Sequence, residues 1–118
     1  MRIQTSVTLA GLMAGLLFGN AVAFAASAEN GKIAYVKNGC WQCHGFVGQG
    51  SLVTSGGKVL SNTRLSLDAF TSFVRKSGGV MPPYREAILS DADLTDVYAY
   101  LQSIPMSPDV NSIPLLKP

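Results

Sequence analysis

The chain has 118 residues, a length that suits one domain, and its formal net charge is +2. From Glu29 onward it carries eight basic and seven acidic residues, so it lacks the basic excess of a nucleic-acid-binding protein. It contains two cysteines and one histidine, which is a poor fit to a zinc site built from two separated ligand pairs.

Residues 1–28 have the pattern of a secretory signal peptide. A short positive start precedes an apolar run over residues 7–18 and then a stretch of small residues. The small-x-small rule allows cleavage after Ala25 or after Ala28, and the sequence does not choose between them. An uncleaved membrane anchor is the alternative, but Asn20 and the two cleavage-like triplets favour removal. We therefore predict an exported, periplasmic protein with no stable membrane span once the signal is removed.

A short helix is predicted over residues 29–38, and it leads the chain directly to the cysteines. Ile33 and Val36 are three residues apart, as on one face of a helix. Gly39 follows and ends the helical pattern.

The segment Cys40-Trp41-Gln42-Cys43-His44 matches the attachment site of a c-type haem. Each thiol can add to one porphyrin vinyl group, and the imidazole of His44 can ligate the iron. A thioredoxin-like redox pair has the same cysteine spacing but needs alternating strands and helices, and the chain has no convincing strand run. A disulfide between Cys40 and Cys43 is possible in an oxidising compartment, although it would close only a tiny loop.

Residues 45–61 are rich in glycine and serine and are predicted to form a loop close to the cofactor. A second helix is predicted over Leu67 to Lys76, with Ser66 as its N-cap and Gly78 after its end. Its apolar stripe consists of Leu67, Phe70, Phe73 and Val74. The two phenylalanines are expected to pack in the core or against the haem.

Met81 is the candidate for the second axial ligand of the iron. The chain has no histidine besides His44 to complete a six-coordinate iron. Of the other three methionines, two lie in the signal segment and Met106 lies in a proline-rich tail. Two prolines follow Met81, and they restrict the backbone and so reduce the freedom lost when the thioether is held against iron. A lone methionine in a turn usually fills space, but beside the cysteine motif we interpret it as a ligand.

The last helix is predicted to begin at Ser90, with acidic residues in its first turn, and to end before Pro105. Its buried face is expected to contain Leu94, Val97, Tyr98, Leu101 and Ile104, with Tyr100 at the border. The folded domain thus covers residues 29–104, and residues 105–118 form a proline-rich tail. The apolar part of this tail, residues 113–116, is expected to pack on its own globule, with docking to a partner as the alternative.

The chain resembles class I c-type cytochromes, especially the small bacterial ones with a single haem. The resemblance covers essentially all of the mature chain and rests on three segments: Cys40 to His44, Met81 to Tyr84, and Leu89 to Leu101. It implies an all-α cytochrome c fold with three to four short helices around one covalently bound haem c. It also implies that the first and last helices cross, with a glycine permitting close approach. The residues expected to meet at that crossing are Gly31 and Tyr35 with Val97 and Tyr100.

The chain departs from this family at one point. Family members usually have a proline soon after the haem motif, and its carbonyl accepts the hydrogen bond from the ligand histidine. No proline occurs between His44 and Met81. Another loop carbonyl must therefore orient His44.

The resemblance implies a one-electron carrier and not an enzyme. With Cys40 and Cys43 as thioether anchors and the iron held between His44 and Met81, no coordination position stays open for a substrate. Related proteins accept electrons from exported dehydrogenases and pass them to an oxidase or another cytochrome of the respiratory chain. We expect the electron to leave at the haem edge near Trp41, which basic side chains flank: Lys37, Lys76 and Arg85.

Two alternative functions stay open. One is a tightly bound cytochrome subunit of a larger oxidoreductase, anchored by its apolar tail. The other is a five-coordinate haem protein that binds small gases, which requires Met81 to be off the iron.

Overall fold

The computed structural model describes residues 25–51 and 57–116, so most of the predicted signal peptide lies outside the described residues. In the described part the chain forms four α-helices and no strand, which confirms the all-α fold expected for a cytochrome c. The helices are α1 (Ala28–Lys37), α2 (Trp41–His44), α3 (Leu67–Lys76) and α4 (Asp91–Ser103). Two 3-10 turns follow, Val110–Ser112 and Pro114–Leu116. Within residues 25–51 and 57–116, no helix has the length and apolarity needed to cross a membrane.

Serine side chains begin the three longer helices. The hydroxyl oxygens of Ser27, Ser66 and Ser90 each accept a hydrogen bond from the backbone N–H three residues later, at 3.2, 3.2 and 3.0 Å. Each bond satisfies one of the free N–H groups in the first turn of a helix. The caps predicted at Ser66 and Ser90 are confirmed, and α1 begins one residue before its predicted start.

The crossing of α1 and α4 is the main packing contact of the fold. A Cβ added at Gly31 would lie only 1.9 Å from the carbonyl oxygen of Asp96 and 2.9 Å from Cβ of Tyr100. The rings of Tyr35 and Tyr100 pack with their centroids 5.5 Å apart. The carboxylate of Asp96 also accepts a hydrogen bond from the backbone N–H of Ser27 at 2.7 Å. The expected helix crossing is therefore confirmed, and it depends on glycine at position 31.

The core continues from this crossing to α3 and to the segment before α4. Its buried apolar residues are Ala34, Tyr35, Phe70, Val74, Leu89, Leu94, Val97, Tyr100 and Leu101. Leu89 lies just before α4, and Leu101 lies near the end of that helix. Both side chains are almost fully buried, at 1% and 0% exposure.

Two residues predicted on the buried face of α4 are only partly buried, and one predicted at its border is buried. Tyr100 is buried, whereas Tyr98 and Ile104 are only partly buried. The reason is that α1 packs on the side of α4 that carries Tyr100. Tyr98 instead packs against Phe70, with ring centroids 5.4 Å apart, and its hydroxyl donates to a loop carbonyl. Phe73 was predicted to pack in the core or against the haem; its side chain is 58% exposed, which excludes the core and leaves the haem contact as a prediction.

The C-terminal tail does not pack as predicted. Leu115 is 94% exposed and Leu116 is 58% exposed. The two 3-10 turns of the tail contact each other. The prediction that these leucines pack on the globule is therefore wrong, and they form an exposed apolar end.

Candidate functional site

The helix α1 and the turn after it position both cysteines. The α1 helix ends at Lys37, and the backbone N–H of Cys40 donates to the carbonyl of Tyr35 at 3.2 Å. Cys40 is the N-cap of α2, and Cys43 and His44 are the last two residues of that helix. Residues three apart on a helix lie on the same side, so the two thiols share a side of α2.

The backbone after α2 is tied to the α1 and α4 pair by two tyrosines. The hydroxyl of Tyr35 donates to the carbonyl of Gly45 at 2.8 Å, and that of Tyr100 donates to the carbonyl of Phe46 at 3.0 Å. Both tyrosines are buried at the helix crossing. The backbone directly after the cysteine segment is therefore held by two side chains of the α1–α4 crossing.

The imidazole of His44 is oriented by the backbone of Lys58. Nδ1 of His44 lies 2.8 Å from the carbonyl oxygen of Lys58. A carbonyl can only accept, so Nδ1 carries the proton and donates, and Nε2 keeps a lone pair that can bind a metal. The carbonyl of Lys58 therefore takes the place of the proline carbonyl that this chain lacks. The sequence alone did not identify which loop carbonyl would do so.

Glycine at position 57 lets this loop approach the cysteine helix. A Cβ at Gly57 would lie 1.7 Å from the carbonyl oxygen of Cys43 and 3.3 Å from the backbone nitrogen of His44. Any larger residue would push the loop and the carbonyl of Lys58 away. The sequence predicted a loop close to the cofactor here, but its several glycines gave no signal that singled out this one.

Both cysteines are free thiols and partly buried. Burial raises the pKa of the Cys40 thiol to about 11. A redox-active cysteine pair depends on a lowered thiol pKa, which makes the thiolate available at neutral pH. The environment of Cys40 therefore argues against the thioredoxin-like alternative.

Met81 lies on the loop between α3 and α4, called here the methionine loop (residues 77–84). Met81 is partly buried and, like Cys40 and Tyr84, packs against the core. The hydroxyl of Tyr84 donates to the carbonyl of Asn38 at 3.0 Å, which joins the methionine loop to the end of α1. Burial raises the pKa of Tyr84, and the nearby thiols raise it further. The structure thus brings the methionine loop beside the cysteine segment.

The surroundings of these residues fit an apolar prosthetic group. Val59, which follows Lys58 in the chain, is 62% exposed, and Val80, which precedes Met81, is 75% exposed. Apolar side chains that lie together at the surface can form part of a ligand-binding groove. Together with two thiols, one imidazole nitrogen and one thioether, these residues fit the haem that the sequence predicts. Across residues 25–51 and 57–116, no group of three or more His, Cys, Asp or Glu side chains could hold a metal ion by itself.

Basic side chains lie on the surface near the same elements. Lys37 ends α1 and Lys76 ends α3, and both are exposed, as is Arg85 directly after the methionine loop. Arg75 is different, because it forms an ion pair with Asp91 and its side chain is only 18% exposed.

The sequence of the chain matches the model of a known protein family. A family model described as cytochrome C oxidase, cbb3-type, subunit III, matches residues 26–101. The match runs from just before α1 to Leu101, near the end of α4. Searches for similar curated proteins and for similar solved structures found no match.

Proposed function

The chain belongs to the c-type cytochrome family described as cytochrome C oxidase, cbb3-type, subunit III, and on this basis we propose that it carries single electrons between exported redox proteins. Family membership means that its cofactor is haem c, one per chain, and that its role is electron transfer and not catalysis on a substrate. Haem c supplies the iron that alternates between the ferric and ferrous states.

In this proposal Cys40 and Cys43 hold the haem through thioether bonds, and His44 and Met81 are its axial ligands. The hydrogen bond from Nδ1 of His44 to the carbonyl of Lys58 is the observation that carries the proposal. A carbonyl acceptor on Nδ1 fixes the ring orientation and makes Nε2 a stronger electron donor. The position of Met81 on a loop tied to the end of α1 supports it as the second ligand.

The proposed electron donor is an exported dehydrogenase, and the proposed acceptor is an oxidase or another cytochrome of the respiratory chain. Exposed Lys37, Lys76 and Arg85 support an encounter with partners that carry acidic surfaces. The periplasmic location rests on the predicted signal peptide. The association rate with a partner should fall as salt is added, because screening weakens attraction between exposed charges.

Replacing Met81 by alanine tests the axial ligand, and Met106→Ala is the matched control because Met106 lies 65% exposed in the tail. Methionine ligation gives oxidised cytochromes a weak absorption band at about 695 nm, called here the methionine band. We expect Met81→Ala to abolish this band and lower the midpoint potential, and Met106→Ala to change neither. An unchanged band and potential in the Met81 variant would refute the proposed ligation.

A second candidate function is a tightly bound subunit of a larger oxidoreductase. The exposure of Leu115 and Leu116 favours it, because a pair of exposed leucines can anchor a chain to a partner. Deleting residues 111–118 tests this function directly. Unchanged affinity for the co-purified partner after the deletion would remove its support.

A further inference from the structure

We propose that Tyr84, together with Arg75 and Ser77, forms a latch that holds the methionine loop and thereby sets how readily another ligand displaces its thioether from iron. The latch deepens the proposed function, on which it rests. It consists of a hydrogen bond across the loop, from Ser77 to Pro82, and of bonds at Tyr84 that connect the loop to α3, to α4 and to the end of α1.

One end of the latch lies at Ser77, the residue directly after α3. Ser77 is 8% exposed, and its hydroxyl donates to the carbonyl of Pro82 at 3.0 Å. Pro82 is bonded directly to Met81. This hydrogen bond therefore holds the backbone beside the thioether against the end of α3.

The other end lies at Tyr84. Its backbone N–H donates to the carbonyl of Val74 at 3.0 Å, and its own carbonyl accepts from Nη1 of Arg75 at 2.8 Å. Its hydroxyl donates to the carbonyl of Asn38 at 3.0 Å. Arg75 also pairs with Asp91 in the first turn of α4. Through these bonds the loop contacts α3, α4 and the end of α1.

The rest of the loop offers little other restraint. Pro82 and Pro83 have no backbone N–H to donate. Before them, a Cβ at Gly78 would meet no atom within 4 Å, so the backbone there is loosely surrounded. A methionine side chain adds three rotatable bonds of its own. Besides its own packing against the core, Met81 is therefore held by the latch residues that flank it.

Imidazole is the probe that tests the latch. It binds ferric iron only where the thioether has left, so its apparent Kd reports how often Met81 is released. The test variant is Tyr84→Phe, which removes only the hydroxyl bonded to Asn38. The matched control is Tyr98→Phe, whose hydroxyl donates to the carbonyl of Leu65 at 2.7 Å, outside the methionine loop.

Ser77→Ala provides a second, independent variant of the latch. We expect Tyr84→Phe and Ser77→Ala each to lower the apparent Kd for imidazole about fivefold, the effect of one lost hydrogen bond. Loss of the methionine band during the titration gives the same equilibrium spectroscopically. Tyr98→Phe should leave the Kd unchanged while lowering the urea midpoint followed by circular dichroism.

The outcomes separate the latch from the proposed function. Wild-type Kd values in both latch variants would overturn the latch, and so would an equal decrease in Tyr98→Phe, which would indicate general loosening. A wild-type protein that lacks the methionine band would refute methionine ligation itself, and the latch with it.

From a different observation, we infer that the signal peptide is removed after Ala25, so that the mature chain begins at Ala26. This inference rests on the proposed export. Ser27 caps α1 by accepting from the N–H of Asn30 at 3.2 Å, and its own N–H donates to Asp96 at 2.7 Å. Cleavage after Ala28 would remove both bonds. It would also leave a charged amino group at the positive end of the helix dipole, where positive charge is unfavourable.

The intact mass of the exported holoprotein tests this cleavage site, and N-terminal sequencing confirms the assignment. A chain that starts at Ala26 would support the inference. A chain that starts at Glu29 would overturn it while leaving export intact. A full-length chain would refute both processing and the predicted signal peptide.

Discussion

Replacing Gly57 by alanine tests the contact that orients His44. The added Cβ would lie 1.7 Å from the carbonyl oxygen of Cys43, and such contacts do not occur below 3.0 Å. The two backbones must therefore separate by at least 1.3 Å, the difference between these distances. The carbonyl of Lys58 is on the next residue and lies 2.8 Å from Nδ1 of His44. A displacement of that size takes it beyond the hydrogen-bond limit of about 3.2 Å.

The lost hydrogen bond should raise the midpoint potential. A carbonyl acceptor on Nδ1 makes the imidazole more basic, which favours ferric iron. One hydrogen bond contributes about 1 kcal/mol, and for a one-electron couple about 1.4 kcal/mol corresponds to about 59 mV. The hydrogen bond stabilises the ferric state more than the ferrous state. A difference of half to all of its free energy, about 0.5 to 1 kcal/mol, corresponds to a rise in the midpoint potential of about 20 to 40 mV.

Potentiometric titration of the holoprotein measures this shift. Tyr98→Phe is the control, because its hydroxyl donates to the carbonyl of Leu65, outside both the cysteine segment and the methionine loop. The methionine band should persist in both variants, since neither substitution alters Met81. A Gly57→Ala protein with the midpoint of the control, or with a lower one, would refute the assigned role of the Lys58 carbonyl.

Three further predictions concern the frame that holds the site. Gly31→Ala should lower the free energy of unfolding by about 2 kcal/mol in urea, because overpacking against α4 outweighs the gain in helix propensity; a wild-type urea midpoint would contradict the close crossing. Ser90→Ala removes the acceptor for the N–H of Asp93 and should cost about 1 kcal/mol, or about 4 to 8 °C in Tm. An unchanged Tm would mean that the cap does not stabilise α4. Burial raises the pKa of Tyr35 and of Tyr100, so the unfolded chain ionises first. Stability should be fully present below about pH 10 and fall above it, and Tyr35→Phe should flatten that fall in urea titrations.

The parts of this molecule that could be predicted from the sequence are those set by short segments. The spacing of Cys40, Cys43 and His44 needs only five adjacent residues, and the serine caps need only the first turn of each helix. The family resemblance then supplied the pairing of the first and last helices. The caps at Ser66 and Ser90 and the helix crossing are confirmed, because local chemistry or a shared fold determines them. The haem attachment at Cys40, Cys43 and His44 stays a prediction.

The parts that could not be predicted depend on how distant segments meet. The acceptor for Nδ1 of His44 is a backbone atom 14 residues away, and no side-chain pattern marks it. Helical periodicity places Tyr98 on the α4 face that contains Leu94 and Leu101, and Tyr100 at the border of that face. Which of them is buried depends on the side where α1 packs. Tyr84 was part of the predicted family segment, but its bond to Asn38 joins residues 46 apart and becomes visible only in the fold.

The close approach of Gly57 to the carbonyl of Cys43 has a practical consequence. The N–H of Ser51 donates to the carbonyl of Gly57 at 3.0 Å, so the backbone on the two sides of residues 52–56 is already joined. Additional residues between these points would add only a small closure entropy, because that term grows slowly with length. A peptide inserted there could tether the protein to an electrode without pulling the Lys58 carbonyl away from His44.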